Sequence, residues 1–224
     1  MRVSDRVAEL LAEFGIKHVF MVTGGGAMHL NDALGRNQTL KVINMHHEQS
    51  CSMAADGYAR TNNLMACVNV TTGPGGINAF NGGFGAWTDS VPMFVVSGQV
   101  KRETLNFDNS KLRQLGDQEN NIVSMVKNIT KFSYILKNPN YVDDVVSKAL
   151  KIASTGRPGP VWIDIPIDIQ GAPYEKSKQI KLDRLSIPRV KKVDKSTINK
   201  VVRLIQNSKR PAILVGGGIR ASDA

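Results

Sequence analysis

The sequence has few cysteines and no long apolar run. Cys51 and Cys67 are its only two cysteines. They lie within a predicted helix and a predicted strand without metal-site spacing, so we interpret them as buried thiols. The longest apolar runs, such as PMFVVSG, are far shorter than the roughly 20 residues of a membrane-spanning helix, and Met1 leads into an amphipathic helix rather than a signal peptide. We therefore expect a cytoplasmic protein with no membrane segment, no disulfide framework and no zinc site.

The excess of positive charge is confined to the end of the sequence. The 224 residues carry a net charge of +10. Residues 1 to 170 hold 16 Lys and Arg against 15 Asp and Glu, whereas residues 171 to 224 hold 13 against 4. The main part has no patterned basic face, so a nucleic-acid partner is not expected. For the basic tail, a solvated linker is favoured over a nucleic-acid arm.

Helix and strand patterns alternate along the first 170 residues. Apolar side chains recur at helical spacing in residues 3–14 and again in residues 142–153. Five apolar segments read as strands: KHVFMV, LKVINM, LMACVNVT, MFVVSGQ and PVWIDIPID. Continuous apolar strands between helices predict a mostly parallel sheet covered on both faces. The predicted fold class is a doubly wound α/β domain.

The chain changes character after this domain. We assign residues 1–172 to the α/β domain, residues 173–192 to a linker with Lys and Pro, and residues 193–224 to the start of a second domain. That last segment reads as a helix, a strand and a glycine turn, which cannot bury their own apolar faces. We therefore expect the sequence to be a fragment of a longer polypeptide, or one half of a split enzyme.

Three loops at the carboxyl ends of predicted strands carry the candidate functional residues. Ligands bind at these ends in doubly wound sheets. The loops read TGGGAMH, HHEQ and TTGPGGIN, and none fits a dinucleotide fingerprint or a phosphate loop. Each glycine cluster alone is also consistent with a tight turn. As a set, they indicate backbone held close to a flat ligand.

Five motifs, in order, resemble the pyrimidine-binding domain of thiamine-diphosphate-dependent enzymes, in particular of the acetolactate synthase-like group. They are VFMVTGGGAMHLNDAL, HHEQSCSMAADGYAR, VTTGPGGINAFNGGFGAWTDSVPMFVVSGQ, DQENNIVSMVKNITKFS and RPGPVWIDIPIDIQGAP. They cover residues 1 to about 173, and RPAILVGGGI resembles the opening of the family's central domain. The resemblance implies an enzyme that decarboxylates or carboligates a 2-oxo acid such as pyruvate, with thiamine diphosphate as cofactor.

The resemblance gives Glu48 a catalytic and cofactor-binding role. In the family, the acid at the start of this helix hydrogen-bonds a ring nitrogen of the cofactor's aminopyrimidine. It thereby favours the tautomer whose nitrogen removes a proton from the reactive thiazolium carbon. That carbon attacks the 2-oxo acid, and the ring accepts the electrons after decarboxylation. We expect the Glu48 carboxyl in a poorly solvated pocket; without the resemblance, it would be interpreted as an N-terminal helix acid.

Other cofactor-binding residues follow from the same resemblance. Gly24 and Gly25 match the family's glycine pair after the first strand, with Thr23 where proline is often found. The turn expected beside the cofactor is matched by Thr71, Gly73, Gly75 and Asn78. For this turn, a purely structural role in capping a helix is an equally good interpretation.

Gln118 is the second candidate catalytic residue. It aligns with a glutamine that reaches the reaction centre in acetolactate synthases. Asp117 stands before it, where those enzymes commonly have Phe. An acid beside the substrate would disfavour an anionic acceptor such as pyruvate unless it points away or is paired. His46 and His47 are candidates for proton transfer, although packing or hydrogen bonding is favoured for histidines at a strand end.

The resemblance also implies groups outside these residues. The family binds the diphosphate and its Mg²⁺ through a separate domain with a Gly-Asp-Gly motif, which is absent from the 224 residues, so no metal ligand is expected here. FAD binding is left open, because it would involve the central domain. Since family sites form between subunits, we expect a homodimer or homotetramer whose active site lies at the subunit interface, and an inactive fragment.

A different class of function stays open. The chain would then be a free-standing pyrimidine-domain subunit, or a non-catalytic scaffold, that assembles with a separate diphosphate-binding subunit. The presence of Glu48, Gln118 and the GPG turn favours the enzyme, because a scaffold has no need for a carboxylate at that turn.

Overall fold

Six strands form one parallel sheet in the computed structural model, which describes residues 1–106, 111–176 and 193–222. The strands are β1 His18–Met21, β2 Lys41–Asn44, β3 Ala66–Val70, β4 Met93–Gln99, β5 Phe132–Ile135 and β6 Pro160–Pro166. Their order is β2-β1-β3-β4-β6-β5, and every neighbouring pair is parallel. The predicted doubly wound α/β fold is confirmed.

Helices connect the strands and cover both faces of the sheet. They are α1 Val3–Phe14, α2 Met28–Arg36, α3 Glu48–Asn62, α4 Pro74–Asn78, α5 Phe80–Thr88, α6 Ile122–Val126, α7 Val142–Ser154 and α8 Ile167–Gln170. After the segment that is not described come α9 Lys195–Asn207 and α10 Gly218–Ala221. Helix α1 ends where the sequence predicts. Gly15 adopts a left-handed conformation, and its backbone N–H donates to the carbonyl oxygens of Leu11 and Ala12.

The sheet separates two apolar cores. Helices α1, α2 and α7 bury one core against alternate residues of the strands, including Phe94, Val161 and Ile163. Helices α3, α5 and α6 bury the other against Val68, Val95 and their neighbours. Because successive side chains of a strand point to opposite faces, strands that contribute to both cores read as continuous apolar runs.

Two strand assignments differ between sequence and structure. Strand β5 was not predicted, because it is a four-residue edge strand whose side chains, apart from Phe132, are only partly buried. The predicted strand in RPAILV is wrong: residues 211–216 form no strand. Among the described residues, no neighbouring strand pairs with this segment, and the side chain of Leu214 is fully exposed. An isolated strand has no partner for its backbone hydrogen bonds.

Within the described ranges, no helix is both long and apolar enough to cross a membrane. Most of the predicted linker, residues 177–192, lies outside the described residues.

Candidate active site

The loops that follow β1, β2 and β3 lie side by side, because these strands are neighbours in the order β2-β1-β3. The winding of the sheet reverses between β1 and β3, which opens a crevice at the carboxyl ends of the strands. Residues 24–26, Glu48 and residues 71–78 lie in these loops or in the helix starts that follow them. The fold therefore brings the three predicted loops to one edge of the sheet.

Glu48 is the first residue of α3, and His47 caps this helix. Nδ1 of His47 accepts a hydrogen bond of 3.1 Å from the backbone N–H of Gln49, which requires that Nδ1 carry no proton. The side chain thereby satisfies one of the free N–H groups of the first turn. The structure thus gives His47 the hydrogen-bonding role favoured for it; His46 and His47 are both exposed.

The carboxylate of Glu48 is half-buried and has one oxygen engaged. Oε2 accepts a hydrogen bond of 3.0 Å from Nδ2 of Asn78. Oε1 faces Gly75, where an added Cβ would lie 3.3 Å from it. Among the described residues, no donor bonds Oε1. The hydrogen bond from Asn78 orients the carboxyl group, and Oε1 is left for a further partner beside Gly75, which has no side chain.

Thr71 joins the loop after β3 to the loop after β1. Its Oγ1 accepts a hydrogen bond of 3.1 Å from the backbone N–H of Gly26. An added Cβ on Gly24 would lie 2.4 Å from the Cβ of Thr71, whereas a Cβ on Gly25 would meet no atom within 4 Å. The close approach of the two loops therefore requires glycine at position 24, and it places no such requirement on position 25.

Gln118 lies directly on the turn at Gly73. Gly73 has φ of +62°, and an added Cβ there would be 2.7 Å from the carbonyl oxygen of Gln118. Gln118 also has positive φ, +59°, which is uncommon outside glycine. Asn120 Nδ2 donates to the Gly73 carbonyl at 3.3 Å. The structure thus brings Gln118 next to the predicted cofactor turn; its side chain and that of Asp117 are exposed.

A buried polar network lies beneath this turn, and sequence reasoning missed it. Asp164 on β6 and Ser97 and Gln99 on β4 are fully buried or nearly so. Ser97 Oγ donates to Asp164 Oδ1 at 2.6 Å, and Gln99 Nε2 donates to Asp164 Oδ2 at 2.9 Å. The signal in the sequence was the presence of these polar residues inside apolar strands, in VVSGQ and VWIDIP.

Burial raises the pKa of the Asp164 carboxyl from an ordinary 3.8 to about 7, although hydrogen bonds from Ser97 and Gln99 act in the opposite direction. Because this pKa is higher in the folded than in the unfolded chain, the folded chain binds more protons between about pH 4 and pH 7. The stability that the protonated group contributes is complete below pH 4 and is lost as the pH rises to about 7. This group therefore lowers the free energy of unfolding by roughly 1.4 kcal/mol per pH unit in that window.

We predict that Asp164→Asn removes this pH dependence. Between pH 5 and pH 8, the melting temperature of the unmodified protein should fall by roughly 5 °C more than that of the variant. Differential scanning calorimetry of both proteins across this range measures the difference. Parallel pH profiles would mean that the pKa of Asp164 is close to its ordinary value.

An open cleft of about 570 Å³ adjoins the site. Asn78, the hydrogen-bond partner of Glu48, lines it together with His47 and the apolar side chains of Ile77, Phe84 and Met125. These three apolar side chains are exposed, Phe84 to 57% of its surface. The described part of the protein therefore presents apolar surface immediately beside Glu48.

The cysteines and the acidic groups offer no metal site in the described residues. Cys51 and Cys67 are both buried and unpaired, as predicted. Burial, together with the nearby charge of Glu48, raises the pKa of the Cys51 thiol to about 12, so this sulfur stays protonated and inert. Within residues 1–106, 111–176 and 193–222, no group of three or more His, Cys, Asp or Glu side chains is arranged to hold a metal ion.

The structure is an α/β domain with a carboxylate at a helix start and glycine-rich loops side by side at one crevice. The sequence profile of the family described as "Thiamine pyrophosphate enzyme, N-terminal TPP binding domain" matches residues 1–125. The chain belongs to this family. The resemblance drawn from the motifs is confirmed.

Curated relatives are similar along nearly the whole chain. The acetolactate synthase large subunit of Haemophilus influenzae is 36% identical over 219 residues, which are 96% of this chain and 37% of the relative. Acetolactate synthase 3, chloroplastic, of Brassica napus is 35% identical over 96% of this chain and 32% of its own length. The chloroplastic acetolactate synthase of Arabidopsis thaliana is 34% identical over 98% of this chain and 32% of its own length. The chain thus spans about a third of the length of these relatives.

Proposed function

We propose that the chain is the pyrimidine-binding, amino-terminal part of an acetolactate synthase-like enzyme that decarboxylates or carboligates a 2-oxo acid such as pyruvate. The observation that carries the proposal is the geometry of Glu48, with Oε2 held by Asn78 and Oε1 open toward Gly75. The similarity to acetolactate synthases along 96% of the chain supports the choice of reaction.

The residues at the crevice fit the aminopyrimidine ring of thiamine diphosphate. A flat ring needs a surface without side chains, and Gly75 supplies one that a Cβ would obstruct. A ring nitrogen needs a carboxyl oxygen without another partner, and Oε1 of Glu48 is such an atom among the described residues. Gly24, Thr71 and Gly73 would shape the walls around the ring through the contacts between the loops. Gly25 is exposed and meets no neighbour, so we assign to it only backbone contact.

The protein's own groups would orient the cofactor and hold a proton. Glu48 would share a proton with the ring nitrogen, and Asn78 would keep the carboxyl plane aligned with the ring. Gln118, whose exposed side chain lies beside the Gly73 turn, would contact the substrate. Bound thiamine diphosphate supplies the electron sink for carbon–carbon bond cleavage and formation.

The diphosphate and Mg²⁺ would be held by other parts of the protein. As the family resemblance implies, Mg²⁺ would be bound through a separate domain with a Gly-Asp-Gly motif. FAD, if it is bound, would lie in the central domain. The absorption spectrum and metal content of the purified full-length protein test both assignments.

We also propose the domain division 1–172, 173–192 and 193–224. The antiparallel bridge between Arg2 and Pro173, and the hydrogen bond from Val3 N–H to the Ala172 carbonyl, support an end of the first domain near residue 172. The apolar side chains of α9, such as Val201 and Ile205, are exposed, and we propose that a further domain of a longer chain covers them. A native subunit mass well above 24.4 kDa is expected.

The active site would be completed by a second subunit of a homodimer or homotetramer. The exposed side chains of Ile77, Phe84 and Met125 beside Glu48 support an interface there, since apolar patches of this kind mark protein contacts. Analytical ultracentrifugation of the full-length protein measures its oligomeric state. Cytoplasmic location stays a prediction of the sequence, to be checked by cell fractionation.

The test of the function is consumption of 2-oxo acids by the purified full-length protein. We expect CO₂ release from pyruvate or a related 2-oxo acid only when thiamine diphosphate and Mg²⁺ are present. Product analysis shows whether a second pyruvate or another acceptor is used, because the exposed Asp117 disfavours an anionic acceptor if it faces the site. Assembly with another chain and no 2-oxo acid consumption would support the scaffold alternative, which the similarity to acetolactate synthases does not favour.

A further inference from the structure

The buried network at Asp164 reaches the segment that carries Gln118. Gln99 Nε2 donates to Asp164 Oδ2 and also to the carbonyl oxygen of Asn120, both at 2.9 Å. Asn120 in turn donates to the Gly73 carbonyl at 3.3 Å. A continuous chain of hydrogen bonds therefore runs from the interior of β6 to the turn on which Gln118 lies.

The amide of Gln99 has a single orientation that satisfies all its partners. Its oxygen accepts from Thr72 Oγ1 at 2.7 Å and from the backbone N–H of Val100 at 3.0 Å. Its two N–H bonds point at two acceptors, the Asp164 carboxylate and the Asn120 carbonyl. If the amide were rotated by 180°, its oxygen would face the Asp164 and Asn120 oxygens, which are acceptors, and its N–H group would face the N–H donor of Val100. Asp164 therefore acts together with Thr72 and Val100 to hold the amide with its N–H group toward the Asn120 carbonyl.

Both carboxyl oxygens of Asp164 accept hydrogen bonds from these neighbours. Its partners are two neutral donors, and Ser97 Oγ already accepts a hydrogen bond of 2.8 Å from Trp162 Nε1. A proton on Oδ2 would face the amide nitrogen of Gln99, which has no free lone pair, whereas a proton on Oδ1 would have the second lone pair of Ser97 Oγ as its acceptor. The described residues contain no ion-pair partner for Asp164.

The groups packed around β6 leave the carboxylate uncompensated. Helices α5 and α6, on the same face of the sheet, have no titratable side chain, and the one titratable side chain of β5, Tyr134, packs against the opposite core. The charged residues that follow or cover β6 elsewhere are Asp143, Asp144, Lys148 and Lys151 on α7 and Asp168 on α8, which is paired with Arg102. Burying a charge is costly. An apolar pair would fill the space without that cost. Unlike an apolar pair, hydrogen bonds have a fixed direction, so this network can hold a neighbouring segment in one orientation.

We propose that Asp164 and Gln99 are positioning residues that hold the segment 116–120, and with it Gln118, against the Gly73 turn. The inference deepens the proposed function and rests on it for the role of Gln118. The hydrogen-bond path from Asp164 to Gly73 does not depend on that role. The path and the catalytic role of Gln118 can therefore be tested separately.

The test compares two variants of the full-length protein. Asp164→Asn replaces one of the two acceptor oxygens by an N–H donor, so Ser97 Oγ and Gln99 Nε2 can no longer both donate to this side chain, and we expect a looser hold on Asn120. The double variant Gln99→Glu, Asp164→Asn restores the pairing by exchanging donor and acceptor, but the carboxylate introduced at position 99 cannot donate to the Asn120 carbonyl. Thr130→Val is the control, because it removes a buried hydrogen bond to Val126 that has no link to the network.

Hydrogen exchange of peptides covering residues 116–122 is the first readout. We expect about tenfold faster exchange in both network variants, with the thermal midpoint lowered in Asp164→Asn and largely restored in the double variant. The control should exchange like the unmodified protein in this segment. Two results would overturn the positioning role. One is a double variant in which both slow exchange and stability are restored. The other is exchange in Asp164→Asn that is unchanged from the unmodified protein.

Kinetics are the second readout. If Gln118 acts in catalysis, kcat should fall about tenfold in both network variants while the affinity for thiamine diphosphate is kept, because the contacts of Glu48 are unaltered. Normal kcat with fast exchange would overturn the catalytic consequence of the positioning. A protein without any 2-oxo acid activity would refute the proposed function, and the exchange result would still decide the structural path. If Asp164→Asn does not fold, the double variant alone distinguishes the outcomes.

Discussion

Glu48→Gln should lower the turnover of the full-length enzyme by at least about 100-fold, the range seen when a positioned acid–base group is lost. Glutamine has nearly the same size, and its oxygen can still accept the hydrogen bond from Asn78. It cannot share a proton with a ring nitrogen at the position of Oε1. We therefore expect the loss in kcat and in activation by thiamine diphosphate, with little change in melting temperature.

The measurement is steady-state CO₂ release at increasing thiamine diphosphate. Glu103→Gln is the matched control, since Glu103 is an exposed glutamate whose contact is a surface ion pair with Lys101 at 3.8 Å. The control should keep full activity. Turnover of Glu48→Gln close to that of the control would remove Glu48 from the mechanism and leave it as an acid at the start of a helix.

Gly82→Ala should destabilise the domain by about 1–3 kcal/mol, the usual cost of overpacking. Gly82 lies where α5 crosses α3, and its added Cβ would be 2.4 Å from the backbone carbon of Ser52 and 2.5 Å from the nitrogen of Met53. Backbone atoms cannot swing aside as a side chain can, so the two helices must separate. Glu48 begins α3 one turn earlier, and we expect its displacement to lower activity as well.

Gly83→Ala provides the control within the same helix. An added Cβ on Gly83 meets no atom within 4 Å, so alanine should stabilise α5 by up to about 1 kcal/mol through its helix propensity. Thermal midpoints of the two variants should therefore move in opposite directions. Equal effects of both substitutions would mean that α3 and α5 adjust their separation without cost.

The apolar patterns along the chain predicted most helices and strands, because the burial of one face of an element produces such a pattern. The apolar periodicities of α1 and α7 were correct, since each of these helices places one face against a core. Strand β5 escaped prediction because a short edge strand buries little and therefore has a weak pattern. The segment 211–216 has the composition of a strand, but strand formation depends on a pairing partner that no local pattern specifies.

The candidate site was only partly predictable for the same reason. The motif order led to Glu48, Thr71, Gly73 and Asn78, and the structure brings these residues to one crevice; their roles stay predictions. Gly24 and Gly25 look alike in the sequence, and only the approach of Thr71 distinguishes them. Asp164 and Gln99 lie 65 residues apart, so their contact depends on the pairing of β4 with β6.

The sequence by itself determined the fold class, the family and the acid at the start of α3, because periodicity and motif order are local properties of a chain. The tertiary structure alone decided that Oε1 of Glu48 stays open while Asn78 holds Oε2, that Gln118 lies on the Gly73 turn, and that hydrogen bonds link the buried Asp164 to this turn. Each of these depends on strand register and helix packing between distant segments, which bring side chains within hydrogen-bond distance only after the chain has folded.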